Sequence, residues 1–301
     1  MRDPVTAKKR RYKSGMTRPL YVTYPTNFFI LVLSVFAGFI GLAVALISGD
    51  GMVEGIWSGV HVAMAIFIAW VLRRELDPDH DYSAFVAAGI ALVAALVLDA
   101  RINFVALVVL IYTARVVNRS SGLAITRHDA ILLVILAAWV GAGSFWLLGL
   151  ILSFALVLDG TFPNGYEYAR ITAGIVCLTT LVSAGLHESF AWNAALSASD
   201  VVIVVLVLLL TRFFIPGIPA EMNSTGDYSR SLLDRRRVIY AGTLLALAAI
   251  LVSWSGDDNT VIGILPLPAS FSGVVLYHFW LKLNPGEQPV STVEPTSKAP
   301  R

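Results

Sequence analysis

Residues 28–48 form a run of 21 amino acids without a single charge. A helix over this run is long enough to cross a bilayer, and it exceeds the roughly 7–15 residues of a signal-peptide core. It therefore reads as an uncleaved first membrane span. The rest of the chain has the same character. It is 57% hydrophobic and 14% charged over 301 residues, with mean hydropathy +0.75. Soluble chains carry about 25% charged residues, and so little charge does not cover the surface of a water-soluble domain. Disorder needs the opposite composition. The expected class is an all-α polytopic membrane protein.

Counting residues against membrane thickness divides the remaining apolar stretches. A second span runs from about Gly55 to Leu72, after a tight turn at Gly49-Asp50-Gly51. It ends in Arg73-Arg74-Glu75-Leu76-Asp77-Pro78-Asp79-His80-Asp81, where Pro78 stops a helix. As one helix, the stretch Ser83 to Val117 would be about 52 Å long, against a hydrocarbon core of about 30 Å. It would also bury Asp99 and Arg101 near its middle. Two short helices joined by a charged surface turn avoid that cost. The same reasoning divides Ala130 to Leu158 at Gly141-Ala142-Gly143-Ser144. Ile171–Leu186, Val201–Ile215, Val238–Trp254 and Val261–Leu281 complete ten expected spans, arranged as five hairpins. The polar connector His187 to Asp200 and a turn at Gly256-Asp257-Asp258-Asn259 lie between members of these pairs.

The distribution of basic residues tests this count independently. With both termini cytoplasmic, 21 of the 22 Lys and Arg residues fall on one side, and only Arg101 falls on the other. Fusing 130–158 into one span would leave 12 against 10. The positive-inside rule favours ten spans. The expected organisation is a basic cytoplasmic segment (1–27), a transmembrane helical domain (28–282) and a disordered cytoplasmic tail (283–301), the last rich in Pro, Ser and Thr. The net charge of +2 gives no sign of a nucleic-acid partner. The lone Cys177 reads as a packed small hydrophobe. A basic residue three positions before an Asn or Asp recurs at inner hairpin ends; the helix dipole and ordinary helix exits account for it, and the alternative is divergence of a repeated hairpin or of two inverted five-span halves.

Three groups of residues are candidates for chemistry. His61 lies inside the second span, with Glu54 seven residues earlier on the same face and Trp57 between them. An intramembrane histidine is a candidate substrate contact or proton relay, or else a hydrogen-bonding link between helices. On the inner face, Asp77, Asp79 and Asp81 alternate, so in an extended loop they would point one way. Carboxylates so arranged could hold Mg²⁺ against a diphosphate, with Arg74, Arg115 or Arg119 on the anion and Asn118 nearby. The plainer reading makes Asp77 a helix end, with Asp81 or Ser83 capping the next helix. On the outer face Asp99, Arg101, Asn103, His187, Glu188, Asp200, Asp257 and Asp258 make a mixed rim, either an entry vestibule or simply the solvated end of the bundle. His187-Glu188 lacks the second histidine of a zinc hydrolase motif. The aspartate motif of membrane prenyltransferases and the Asp-Gly-x-x-Ala-Arg signature of CDP-alcohol phosphotransferases are missing. Asp99-Ala100-Arg101 echoes part of the latter, on the wrong side.

In length and span count the chain resembles the drug/metabolite-type transporters, which pack ten short spans with both ends inside. The resemblance is one of architecture alone. The leading expectation is a carrier or permease-like bundle for a small lipophilic molecule in the cell membrane, without a cofactor; the residues alone make His61, Glu54 and Trp57 its candidate substrate contacts. The alternative is an integral-membrane enzyme of lipid or isoprenoid metabolism, using Arg74, Asp77, Asp79, Arg115 and Asn118, with Mg²⁺ as cofactor. A third expectation is a non-catalytic membrane scaffold. The bilayer is the expected partner in each case.

Overall fold

The computed structural model describes residues 14–18, 20–190, 198–255 and 258–284. The basic residues from Arg2 to Lys13, part of the connector before Asp200, and the tail from Pro285 lie outside them. The elements in chain order are α1 (Pro25–Ile47), α2 (Met52–Leu76), α3 (Asp81–Val97), α4 (Phe104–Asn118), α5 (Arg127–Gly141), α6 (Trp146–Asp159), α7 (Ala169–Leu186), α8 (Ala198–Gly217), α9 (Arg235–Ser255), α10 (Asp258–Gly263) and α11 (Pro266–Leu283). Among the described residues the only β-pairing is an isolated bridge between Thr225 and Leu232. Four helices, α1, α2, α7 and α9, are long and apolar enough to cross a membrane. The outer face of α1 carries Phe28, Phe29, Val32, Phe36 and Phe39, all more than half exposed.

The helix breaks fall where charge and turn chemistry demand them. Between α3 and α4, Asp99 takes a left-handed conformation (φ 45°). Asn103 then caps α4, its side-chain oxygen accepting from the Ala106 amide at 2.9 Å. Asn103→Ala removes that acceptor and is expected to cost about 1 kcal/mol, read as a lower thermal midpoint in detergent. The second division, after Gly141, also appears. At the start of α5, Thr126 and Asp129 form a reciprocal capping box.

Two expectations about boundaries need correction. The apolar pattern predicts an unbroken last span from Val261 to Leu281. Instead α10 ends at Gly263 and α11 begins at Pro266. Proline supplies no amide hydrogen and suits the first turn of a helix, so Pro266 starts a helix rather than continuing one. The second difference is that α2 continues past Leu72 to Leu76 and carries Arg73 and Glu75 into the interior. Both charges are neutralised by partners described below, which makes that burial tolerable.

Packing relies on small residues. The α1–α2 pair meets at Gly38 and Gly59, where a Cβ on Gly59 would lie 2.6 Å from the Gly38 carbonyl oxygen. The last helix, α11, returns to pack on both α2 and α3, while α4 contacts α6 and α9. These contacts gather the ends of α2, α4, α6 and α11 with the starts of α3, α5 and α9. All buried charged side chains among the described residues lie at this end: Arg73, Glu75, Asp77, Asp129, Asp159 and Arg237.

Candidate functional site

Three acidic side chains organise the polar end of the bundle. Glu75, in the last turn of α2, is 1% exposed. It accepts from Arg115 Nε at 2.9 Å, from Asn118 Nδ2 at 2.9 Å and from Arg18 Nη1 at 3.4 Å. Arg18 also pairs with Asp227, its Nε donating at 2.6 Å. Burial lowers the Arg18 pKa, but Glu75 and Asp227 outweigh this and raise it. Asp159, at the end of α6, receives Arg119 from the α4 exit and Arg237 from α9, each at 2.9 Å. The Arg237 guanidinium also lies 4.2 Å from the centre of the Phe162 ring.

The third centre is Asp77, which terminates α2. Its carboxylate accepts from Arg73 Nη2 at 2.8 Å and contacts His80 Nδ1 at 3.0 Å and His278 Nε2 at 2.9 Å. Arg73 also donates from Nη1 to the Asp77 carbonyl oxygen at 3.1 Å. Burial pushes the Asp77 carboxyl up, but Arg73 and the two histidines overcome this and hold it well below the usual carboxylate range. The two imidazoles meet edge to face, 5.0 Å between centroids, and Tyr277 packs against His80 at 5.7 Å. Asp77 forms the closed floor of the group, whereas the His80 and His278 side chains keep 16% and 18% exposure.

The alternating carboxylates do not share a face. Asp79 turns away and accepts the Asn223 and Ser224 amides at 3.0 and 2.8 Å. Asp81 faces Arg74 at 3.4 Å. The physical reason is the turn at Pro78 and Asp79; an extended segment would have aligned the three side chains, and a turn fans them out. The expected three-aspartate Mg²⁺ cradle therefore does not assemble. Nor does Asp81 or Ser83 occupy the cap of α3; that position belongs to His80, whose carbonyl oxygen accepts from the Ser83 hydroxyl.

The other expected site residues are distributed as follows. Arg115 and Asn118 come together on Glu75, two residues before Asp77. Arg74 lies over the Trp70 ring at 4.8 Å and donates to Asn27 Oδ1 at 3.2 Å. His61 stacks on Phe104 at 5.3 Å and lies 6.5 Å from Trp57, while Glu54 is exposed in the first turn of α2. Glu75, His278, Asp159, Arg237 and Arg18 carry no local motif that marks them as functional in the sequence. His278 is 201 residues from Asp77, and only the fold joins them. A usable signal was that His80 and His278 both sit at the basic ends of their hairpins.

Comparison with protein-family models, with curated proteins and with solved structures gives no match.

Proposed function

We propose that this chain crosses a cell membrane ten times with both termini on the basic side, and that it is an integral-membrane enzyme acting on the headgroup of a lipid or isoprenoid. The apolar exterior of α1, the short helices divided at charged or glycine-rich turns, and the gathering of cations at one end support the topology. The observation that carries the activity is the convergence of His80 and His278 on the buried carboxylate of Asp77. Titratable groups brought together from distant parts of a chain, with one partly open side, mark a reactive site. Arg74, with a side chain 26% exposed and next to Asp81, is placed to contact an anionic headgroup.

This reading is preferred to a carrier because the buried charges among the described residues cluster at the polar end of the bundle. An ion-coupled carrier would use ionisable groups nearer mid-depth.

The test uses purified protein in vesicles made from a total lipid extract, followed by mass spectrometry of the lipids. Wild type should deplete at least one anionic lipid and generate its product, and His80→Ala should lower that rate by about 100-fold or more. Identical lipid profiles for wild type, His80→Ala and empty vesicles would refute the enzyme reading.

A further inference from the structure

We propose that Asp77, His80 and His278 form a three-ligand site for a first-row divalent transition metal of the zinc class. The proposal deepens the enzyme reading by naming the cofactor of the same site, and metal binding is measurable whether or not the lipid chemistry is correct.

The donor set determines the class of ion. Each residue offers one ligand atom, and these atoms lie within 4.8 Å of one another. Two imidazoles with one carboxylate suit zinc and its neighbours, whereas Mg²⁺ prefers oxygen ligands. The dimensions also fit. Ligands of a tetrahedral ion at about 2.0–2.1 Å lie roughly 3.3–3.4 Å apart. Here the nitrogens stand 2.9 and 3.0 Å from the carboxylate oxygens. The two rings are partly exposed and can adjust to these spacings, while the carboxylate is buried and held by Arg73.

The surroundings favour an open site over a closed structural one. Three protein ligands leave one tetrahedral position free, the pattern of catalytic zinc. Arg73 anchors Asp77 through both its carboxylate and its carbonyl, as an outer partner that sets the carboxylate's direction. It also adds a positive charge beside the ion. A divalent cation with one carboxylate and a neighbouring guanidinium leaves excess positive charge, so the fourth ligand should be an anionic oxygen. A phosphate ester or a metal-bound hydroxide meets that demand. On metal binding each coordinating ring nitrogen gives up its contact with Asp77, and any proton it carries passes to the opposite ring nitrogen or to solvent.

Full-length protein, freed of any affinity tag and stripped with chelator, is titrated with zinc sulfate by calorimetry. Bound metal is then counted by mass spectrometry after dialysis. Wild type should retain one zinc per chain. Loss of an outer partner alone costs metal sites roughly 10–100-fold in affinity, so His80→Ala and His278→Ala should each weaken binding by at least that factor. His61→Ala and His187→Ala should bind as wild type. Cobalt substitution should give the visible absorption of a tetrahedral site, lost in the His80→Ala/His278→Ala double variant. Circular dichroism melts verify that the variants are folded. Failure of folded wild type to hold stoichiometric zinc, or equal binding by the folded double variant, overturns the proposal. Zinc bound at this site without lipid turnover would support the metal and refute the enzyme; turnover by metal-free protein would do the reverse.

Discussion

Glu75→Gln is expected to destabilise the folded protein by about 3–5 kcal/mol, the usual loss when one partner of a buried ion pair is removed. Whole domains are stable by only about 5–15 kcal/mol, so the loss is a large fraction of the total. Glutamine keeps the shape of the side chain and one oxygen for Asn118, but it removes the charge that both Arg115 and Arg18 face. Arg115 loses its carboxylate partner and keeps the Met16 carbonyl, to which its Nη1 donates at 2.8 Å. The damage reaches the segment before α1. Residues 14–18 are held in the polar layer by Arg115, by the Gly15 amide donating to Asp129, and by the Ser121 hydroxyl donating to the Gly15 carbonyl. Arg18→Ala should be milder, because Arg18 is partly exposed and its loss leaves Glu75 paired with Arg115. Thermal unfolding of the detergent-solubilised variants checks the order. Equal midpoints for wild type and Glu75→Gln would show that the buried pair contributes nothing.

The parts of this fold legible in the sequence were those governed by the cost of burying charge. Asp99 and Arg101 could not both lie inside one long helix, and the chain does turn there. What escaped was set by three-dimensional closure. Pro266 lies in a run apolar enough to read as one span, yet α11 begins there. The alternation of Asp77, Asp79 and Asp81 suggested a shared face, which holds only if the segment is extended; the turn at Pro78 sends the three carboxylates to His80 and His278, to the 223–224 amides, and to Arg74. Glu75 was visible as one acid within a charged string, but its role depends on α2 continuing into the polar layer beside α4. His278 had no local motif at all, because its partner arrives from the other end of the chain. His61 drew attention as an intramembrane histidine, and its surroundings are the rings of Phe104 and Trp57.

The same closure makes the contact between α11 and α3 a determinant of the site as well as of stability. A Cβ at Gly273 would lie 2.7 Å from the Ala87 Cβ and 2.8 Å from the Ala87 backbone nitrogen. Backbone cannot swing aside as a long side chain can, so the helices themselves must separate. The facing surface of α3 is already built from small buried residues, Ala84, Ala87, Ala88 and Ala91, and offers no larger side chain to repack. Gly273→Ala should therefore cost about 1–3 kcal/mol, and Gly273→Leu should cost more, since its branches need space that close helix packing has removed. His278 follows five residues later on the same helix and reaches Asp77 with little slack, at 2.9 Å. A shift of α11 by an ångström takes that contact past about 3.5 Å, beyond a useful hydrogen bond. Gly273→Leu should thus lower the thermal midpoint and the zinc affinity together. His278→Ala should lose zinc while retaining most of the stability, because Arg73 and His80 still hold the carboxylate. Wild-type melting and zinc binding in Gly273→Leu would contradict the close α3–α11 contact and, with it, the way the fold delivers His278 to Asp77.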